Sequence, residues 1–323
     1  MQKTWVKIIL FLLFCFPSLT IAESPSPYAG KKILHVASYH EGFEWTDGIN
    51  RGIETGLKDK GIEYKVFYMD TKRNPTEAWK QAATEKAKAF LEEFKPDVVI
   101  TSDDDAAKYL IVPNYKDVDL PIVFCGINWD ASPYGFPDKN ITGMLEVELI
   151  PAIIGHLKQH AKGERIGTLT IEGLTERKIV QKYMDILNIP ITQSYFAKTF
   201  DEWKDSFLKL QSEVDMLIVL NYVGIADWDT QAAIKFVEEN TRIPAGASFP
   251  WLVPLTLLGI TNIPEEQGLW SAQTALKILD GTKPADIPIA QNKDGKLFIN
   301  MRVADKLGVQ FNRSLLKMAE IIR

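Results

Sequence analysis

The chain has 323 residues, 46% of them hydrophobic and 24% charged, which suits more than one core of ordinary domain size. Its 37 Lys and Arg against 42 Asp and Glu give a net charge of −5, which argues against the basic face that a nucleic acid demands. The two cysteines, Cys15 and Cys125, are too few for a disulfide framework.

Lys3 and Lys7 precede an apolar core from Ile8 to Phe16, and Leu19-Thr20-Ile21-Ala22 has the small-residue character of a cleavage site. Residues 1–22 therefore read as a secretory signal peptide cut after Ala22, with an apolar core too short to span a bilayer. Lipid anchoring at Cys15 is not expected, because Phe14 stands where a lipidated cysteine needs a small neighbour. Loss of Lys3 and Lys7 takes the charge from −5 to −7 and leaves Cys125 as the one cysteine, a thiol within an apolar strand that reads as core filler.

Residues 23–30, with Ser24-Pro25-Ser26-Pro27, form a linker. The first expected strand is Ile33 to Ala37, followed by the loop Ser38 to Phe43 and a helix from Trp45 to Lys60 that Gly61 stops. Tyr64 to Met69 is a strand, Thr76 to Phe94 a long amphipathic helix, and Val98 to Ile100 a strand leading to Thr101-Ser102-Asp103-Asp104-Asp105 and a short helix. Ile122 to Cys125, bounded by Pro121 and Gly126, is a buried strand that ends in the polar and aromatic loop Asn128-Trp129-Asp130. A second extended piece, Asn140 to Glu148, crosses to a repeat of the same scheme.

In that repeat the expected helices are 151–160, 176–187, 201–211 and 229–239, and the expected strands 165–171, 191–196, 216–220, 245–248 and 255–260. A helix from Glu265 to Leu279 returns to the first half, and the tail adds a strand at 297–300 and two short helices. Strands alternating with helices at this spacing imply parallel sheets with right-handed crossovers. The expected fold is α/β with two lobes, each a parallel sheet flanked by helices, and a ligand cleft between them. Residues 31–143 form the N-terminal lobe, completed by about 264–283; 144–263 form the C-terminal lobe; 284–323 are a tail with no assigned lobe.

Pro121-Ile122-Val123-Phe124, Asn140-Ile141-Thr142-Gly143, Arg165-Ile166-Gly167, Val214-Asp215, the turn from Gly281 to Pro288, and Ile299-Asn300 with Ala304 to Gly308 carry a resemblance. In this order and spacing the chain resembles the ABC-transporter substrate-binding proteins with the type I periplasmic-binding-protein fold, in the branch that includes tryptophan/tyrosine-binding transport proteins. Two stretches depart from that branch. Glu172-Gly173-Leu174-Thr175 replaces a longer loop, and Ser38 to Trp45 looks more like the sensing parts of bacterial signalling receptors. The resemblance implies a periplasmic monomer that binds a small molecule, an aromatic amino acid in that branch, and hands it to an ABC permease. The alternative partner is a membrane signalling receptor; a periplasmic enzyme is a minor third reading.

A two-lobed binder needs side chains from both lobes at the C-terminal ends of the strands. The candidates are Tyr39, His40, Trp45, Thr101, Ser102, Asp103, Asn128, Trp129 and Glu146, then Glu172, Thr175, Asn221, Tyr222, Phe249 and Trp251. Flat rings enclosing a flat ligand would explain the aromatics, and so would rings that seal the domain edges. The aspartates after Ser102 either cap a helix or favour an ammonium group. Glu146 and Glu148 alternate and so point the same way, as a hinge ion pair, a ligand contact or a catalytic pair. His156 and His160 are four apart without the intervening Glu or third ligand of a zinc site and read as a solvated helix face. With no P-loop, Rossmann glycine fingerprint, nucleophile elbow or Cys-x-x-Cys in the chain, neither a cofactor, a metal nor catalysis is expected.

Overall fold

Strand positions follow from apolar runs that have no exposed face. Ile33, Leu34, Val36 and Ala37, like Met216 to Val219, are buried on both sides, the pattern of parallel strands covered by helices above and below. The computed structural model describes residues 26–323, so the expected signal peptide at 1–22 lies outside the described residues.

The first half runs β1 (Lys32–Ala37), α1 (Glu44–Leu57), β2 (Glu63–Tyr68), α2 (Glu77–Phe94) and β3 (Val98–Ser102). It continues through α3 (Asp103–Asp105), a π-helical turn Ala106–Ile111 and α4 (Val112–Asn114) to β4 (Ile122–Asn128) and β5 (Ile141–Glu146). The second half runs α5 (Ile150–Leu157), β6 (Ile166–Ile171), α6 (Leu174–Asp185), β7 (Ile191–Ala197) and α7 (Phe200–Glu213). Then come β8 (Met216–Val219), α8 (Thr230–Asn240), β9 (Ala245–Ala247) and β10 (Leu258–Asn262). The last part holds α9 (Pro264–Leu279), β11 (Ala290–Gln291), β12 (Gly295–Asn300), α10 (Met301–Leu307), α11 (Arg313–Met318) and β13 (Glu320–Ile322).

These strands make two sheets, ordered β11-β5-β4-β3-β1-β2 and β13-β12-β10-β9-β8-β6-β7. Every pair in the first is parallel. In the second, β12 runs antiparallel to β10, and the other pairs are parallel. The tail is shared: β11 extends the first sheet, and β12 and β13 extend the second.

One expected boundary needs correction. β5 continues to pair with β4 as far as Glu146 opposite Asn128, so the chain leaves the first sheet at Val147 and not after Gly143. The reason is the length of β4, which passes through an irregularity between Phe124 and Ile127, with Gly126 at φ +68°, and goes on beyond Cys125. The expected strand at 255–260 likewise starts later, at Leu258, because Pro250–Leu255 coils as a 3-10 turn.

Among the described residues, three segments pass between the sheets, after β5, after β10 and after β11. The buried side chain of Asn292 ties all three together. It accepts from the Val147 backbone N–H (2.7 Å) and donates to the Val147 carbonyl (3.0 Å) and to Asn262 Oδ1 (3.1 Å). Gln267, buried at the start of α9, does similar work beside it, accepting from Gly126 N–H and donating to the Leu145 carbonyl. α9 lies directly against α1: an added Cβ at Gly52 would fall 2.2 Å from the Glu265 carbonyl oxygen. Gly48 likewise has no room beside Pro264, so the start of α9 is seated against α1 near its first turn.

Candidate functional site

The C-terminal strand ends of the two sheets face a cleft of about 320 Å³. From the first sheet's side come Glu44 and Trp45 in the first turn of α1, Asn128 and Trp129 at the end of β4, and Glu146 at the end of β5. Glu148 follows on the crossing segment. Beyond it lie Ser248, Phe249 and Pro250 after β9, Thr261 and Asn262 at the end of β10, and Pro264 opening α9. In an open α/β sheet the strand ends are where loops diverge and leave such a crevice.

Two tryptophans are held firmly in place. Trp129 sits in the left-handed region at φ +65°, donates its backbone N–H to the Glu146 carbonyl (3.0 Å), and packs its ring 5.6 Å from Tyr183. Trp45 donates its indole N–H to Asp103 Oδ1 at 3.0 Å. Asp103 is itself left-handed, at φ +67°, and only 4% exposed. Burial, reinforced by the charge of Glu146, holds its carboxyl well above the usual carboxylate range, and its Oδ2 has no partner among the described residues.

The carboxylates of the cleft have neutral partners. Asn262 donates to Glu146 at 3.2 Å; burial pushes the Glu146 carboxyl up to about 7, with Glu148 and Asp104 adding to the rise. Glu148 accepts from the hydroxyls of Tyr183 (2.6 Å) and Ser248, and burial raises it too. Glu44 differs: it is exposed and pairs with Arg51 at 2.6 Å.

Of the residues put forward from the sequence, Trp45, Asn128, Trp129, Glu146 and Phe249 line this cleft. Asn221 lines a smaller hollow that shares Glu148 and Phe249 with it. The others are placed elsewhere. Tyr39 stacks edge-on against Phe43, with Lys72 4.6 Å from its ring centre. His40 lies 3.6 Å from Asp70. Thr101 and Ser102 are buried in β3, and Asp103 stands behind Trp45 as its acceptor. Glu172 pairs with Arg177, and Thr175 is in the first turn of α6. Tyr222 stacks on Trp228 at 4.0 Å, and Trp251 bridges Tyr222 and Phe249. Trp228, Tyr222, Trp251 and Phe249 thus form one continuous run of packed rings, and Phe249 is the member that reaches the cleft.

Sequence reasoning passed over Glu44, Ser248, Pro250, Thr261, Asn262 and Pro264. Ser248 and Asn262 each sit where an apolar strand run turns polar, the same signal that points to Asn128. Among the described residues no group of three or more His, Cys, Asp and Glu side chains is arranged to hold a metal ion. Nor is any helix there long and apolar enough to cross a membrane.

Two sheets facing each other across a cleft, joined by three crossings, define the type I periplasmic-binding architecture. A family model for ABC transporter substrate binding proteins matches residues 40–322, and the chain belongs to that family. Among solved structures, the ligand-free, open form of CD0873, a substrate binding protein with adhesive properties from Clostridium difficile, is 17% identical. The match covers 91% of this chain and 99% of that one, with a TM-score of 0.68. An ABC domain from Streptococcus pneumonia in complex with L-Trp is 19% identical over 91% of this chain and 99% of that one, with a TM-score of 0.51. A periplasmic ribose ABC transporter from Conexibacter woesei is 12% identical over 92% and 100%, with a TM-score of 0.55. At these identities the likeness is one of fold. A search of curated proteins finds no match.

Proposed function

We propose that this chain is an exported solute-binding protein that captures a small organic molecule with a flat part in the cleft and delivers it to an ABC permease. The observation that carries the reading is the pairing of aromatic surfaces, Trp45, Trp129 and Phe249, with a few polar groups, Asn128, Glu146, Ser248 and Asn262, in one cavity of about 320 Å³. Small-molecule sites have this make-up: apolar and aromatic walls that supply burial, and a few placed polar groups that orient the ligand. The L-Trp held by the Streptococcus neighbour supports a flat ligand for this chain as well. Closure of the lobes over the ligand would be a hinge motion about the three crossings that Asn292 ties together.

Thermal unfolding with a panel of amino acids, amines, nucleosides, sugars and organic acids tests the reading. A compound at a hundred times its Kd adds about 2.7 kcal/mol of stability, which for a chain of this length raises the melting temperature by about 4 °C. Substitution of Trp45 or Trp129 by alanine is expected to abolish the rise for the compound that gives it. A panel without a single shift would count against solute binding in this cleft.

A further inference from the structure

The charge around the cleft is one-sided. Glu44, Glu146 and Glu148 line it, and among the described residues no lysine, arginine or histidine does. Arg51 neutralises Glu44, but Glu146 and Glu148 have only amide and hydroxyl donors. Behind Trp45 the nearly buried Asp103 keeps one oxygen without a partner among the described residues. Asp104 beside it accepts from Tyr134 and Asn128. Two lysines lie over ring faces, Lys182 at 5.7 Å from the Trp129 centre and Lys72 at 4.2 Å from that of Phe43; Lys72 acts on Glu146 through its charge, without a hydrogen bond or ion pair to it.

A carboxylate withdrawn from water without a counter-ion is held at high cost, and the cost falls when a cation enters beside it. We propose that the ligand is a nitrogen cation, a protonated amine or a related group on a flat apolar body, and that it carries no carboxylate. The inference rests on the cleft being the ligand site, as proposed above. The aromatic walls accommodate the flat body, and their ring faces attract the cation as well. An amino acid would also bring a carboxylate into a cavity lined by acids and no cation. That repulsion separates this site from one built for a zwitterion.

The proton balance follows from the same geometry. The groups that face Glu146 are Glu148 on the crossing segment, Asp103 and Asp104 on α3, Tyr39 after β1, Lys72 after β2 and Asn262 at the end of β10. Of these only Lys72 is cationic. A cation favours the ionised form of Glu146, so binding releases its proton at acid pH, and affinity falls as the pH drops below about 7. A neutral ligand that accepts a hydrogen bond from protonated Glu146 would show the opposite trend.

The test is titration calorimetry of the purified chain at pH 7.5 with tryptamine, tyramine and 2-phenylethylamine, together with tryptophan, tyrosine and indole-3-propionate. At least one amine is expected to bind ten-fold or more tightly than either amino acid, and the organic acid not at all. Glu146→Gln and Glu148→Gln, each checked for cooperative unfolding, should weaken that amine at least ten-fold, and lowering the pH to 5.5 should weaken it in the wild type. Equal or tighter binding of tryptophan, tyrosine or indole-3-propionate would overturn the proposal, as would wild-type affinity in both variants. In either case the cleft would remain a binding site for another ligand class. The absence of both heat and thermal shift with every compound, panel included, would overturn the two readings together.

Discussion

Gly268→Ala is expected to destabilise the fold by about 2 kcal/mol, even though alanine is the better helix former by about 1 kcal/mol. Gly268 is buried in α9, and a Cβ built on it would lie 1.9 Å from the Ile49 carbonyl oxygen and 2.9 Å from the Ile53 nitrogen. Both are backbone atoms of α1, which cannot turn aside as a side chain does. The opposing helix presents Gly48, Gly52 and Gly56, spaced by four and therefore on one face, and each would also clash with α9 if it gained a Cβ. The helices would have to separate, and their first turns carry Trp45 and Pro264 to the cleft. Gly155→Ala in α5 is the control of opposite sign. Its Cβ would meet nothing within 4 Å on an exposed face, so it should gain up to about 1 kcal/mol from helix propensity. Urea unfolding of the three proteins measures both. A Gly268→Ala midpoint at or above that of the wild type would mean that α1 and α9 are not in backbone contact.

The second large effect concerns His35, buried in β1 between β2 and β3 of the first sheet. Its Nδ1 lies 2.7 Å from Asn50 Oδ1, which only accepts, so that nitrogen carries the proton; Nε2 then accepts from Ser102 Oγ at 3.0 Å. Asn50 also accepts from the Tyr64 hydroxyl and donates to the Tyr68 hydroxyl. His35→Leu removes a shared partner from two buried polar groups, Asn50 and Ser102, and is expected to cost about 3 kcal/mol at pH 7.5. Burial lowers the imidazole pKa from 6.5 to about 4. The folded state therefore binds fewer protons than the unfolded state in that window. The stability His35 contributes is complete above pH 6.5 and is lost as the pH falls towards 4, a change of about 3 kcal/mol. Glu146 acts in the opposite sense. With its pKa raised to about 7 from 4.5, it contributes stability below 4.5 that is lost as the pH rises through 7. The two partly cancel in the wild type, so the difference between wild type and His35→Leu is the quantity to follow. Urea unfolding between pH 7.5 and 4.5 should show that difference shrinking; a constant difference would mean that the imidazole is not held neutral by burial.

Much of this architecture is written in the hydrophobic pattern. Apolar runs such as Val98 to Ile100 and Ile122 to Cys125 admit little but buried strands, and the helices between them carry clear stops at Gly61 and Gly281. The pattern is silent where a side chain acts on backbone. Asn292 binds Val147, and Gln267 binds Gly126 and Leu145, without any periodic trace, so the three-way tie at the crossings was not legible. β11 and β13, two and three residues long, are too short to show a period. The spacing of Gly48, Gly52 and Gly56 is visible in the sequence, but only the contact with α9 gives it meaning. At the cleft, sharply stopped strand runs place Asn128, Trp129 and Glu146 along its lining. Tyr222 and Trp251 follow strands too but pack on neighbouring rings, and composition does not distinguish a ring that seals an edge from one that faces a cavity.

The crystal structure of the chain grown with the panel compound that raises its melting temperature most would test the central claim directly. The expected result is density for that compound between Trp45, Trp129 and Phe249, within reach of Glu146 and Glu148, with the two sheets drawn closer together. Density at another place on the molecule, with the cleft empty, would contradict it.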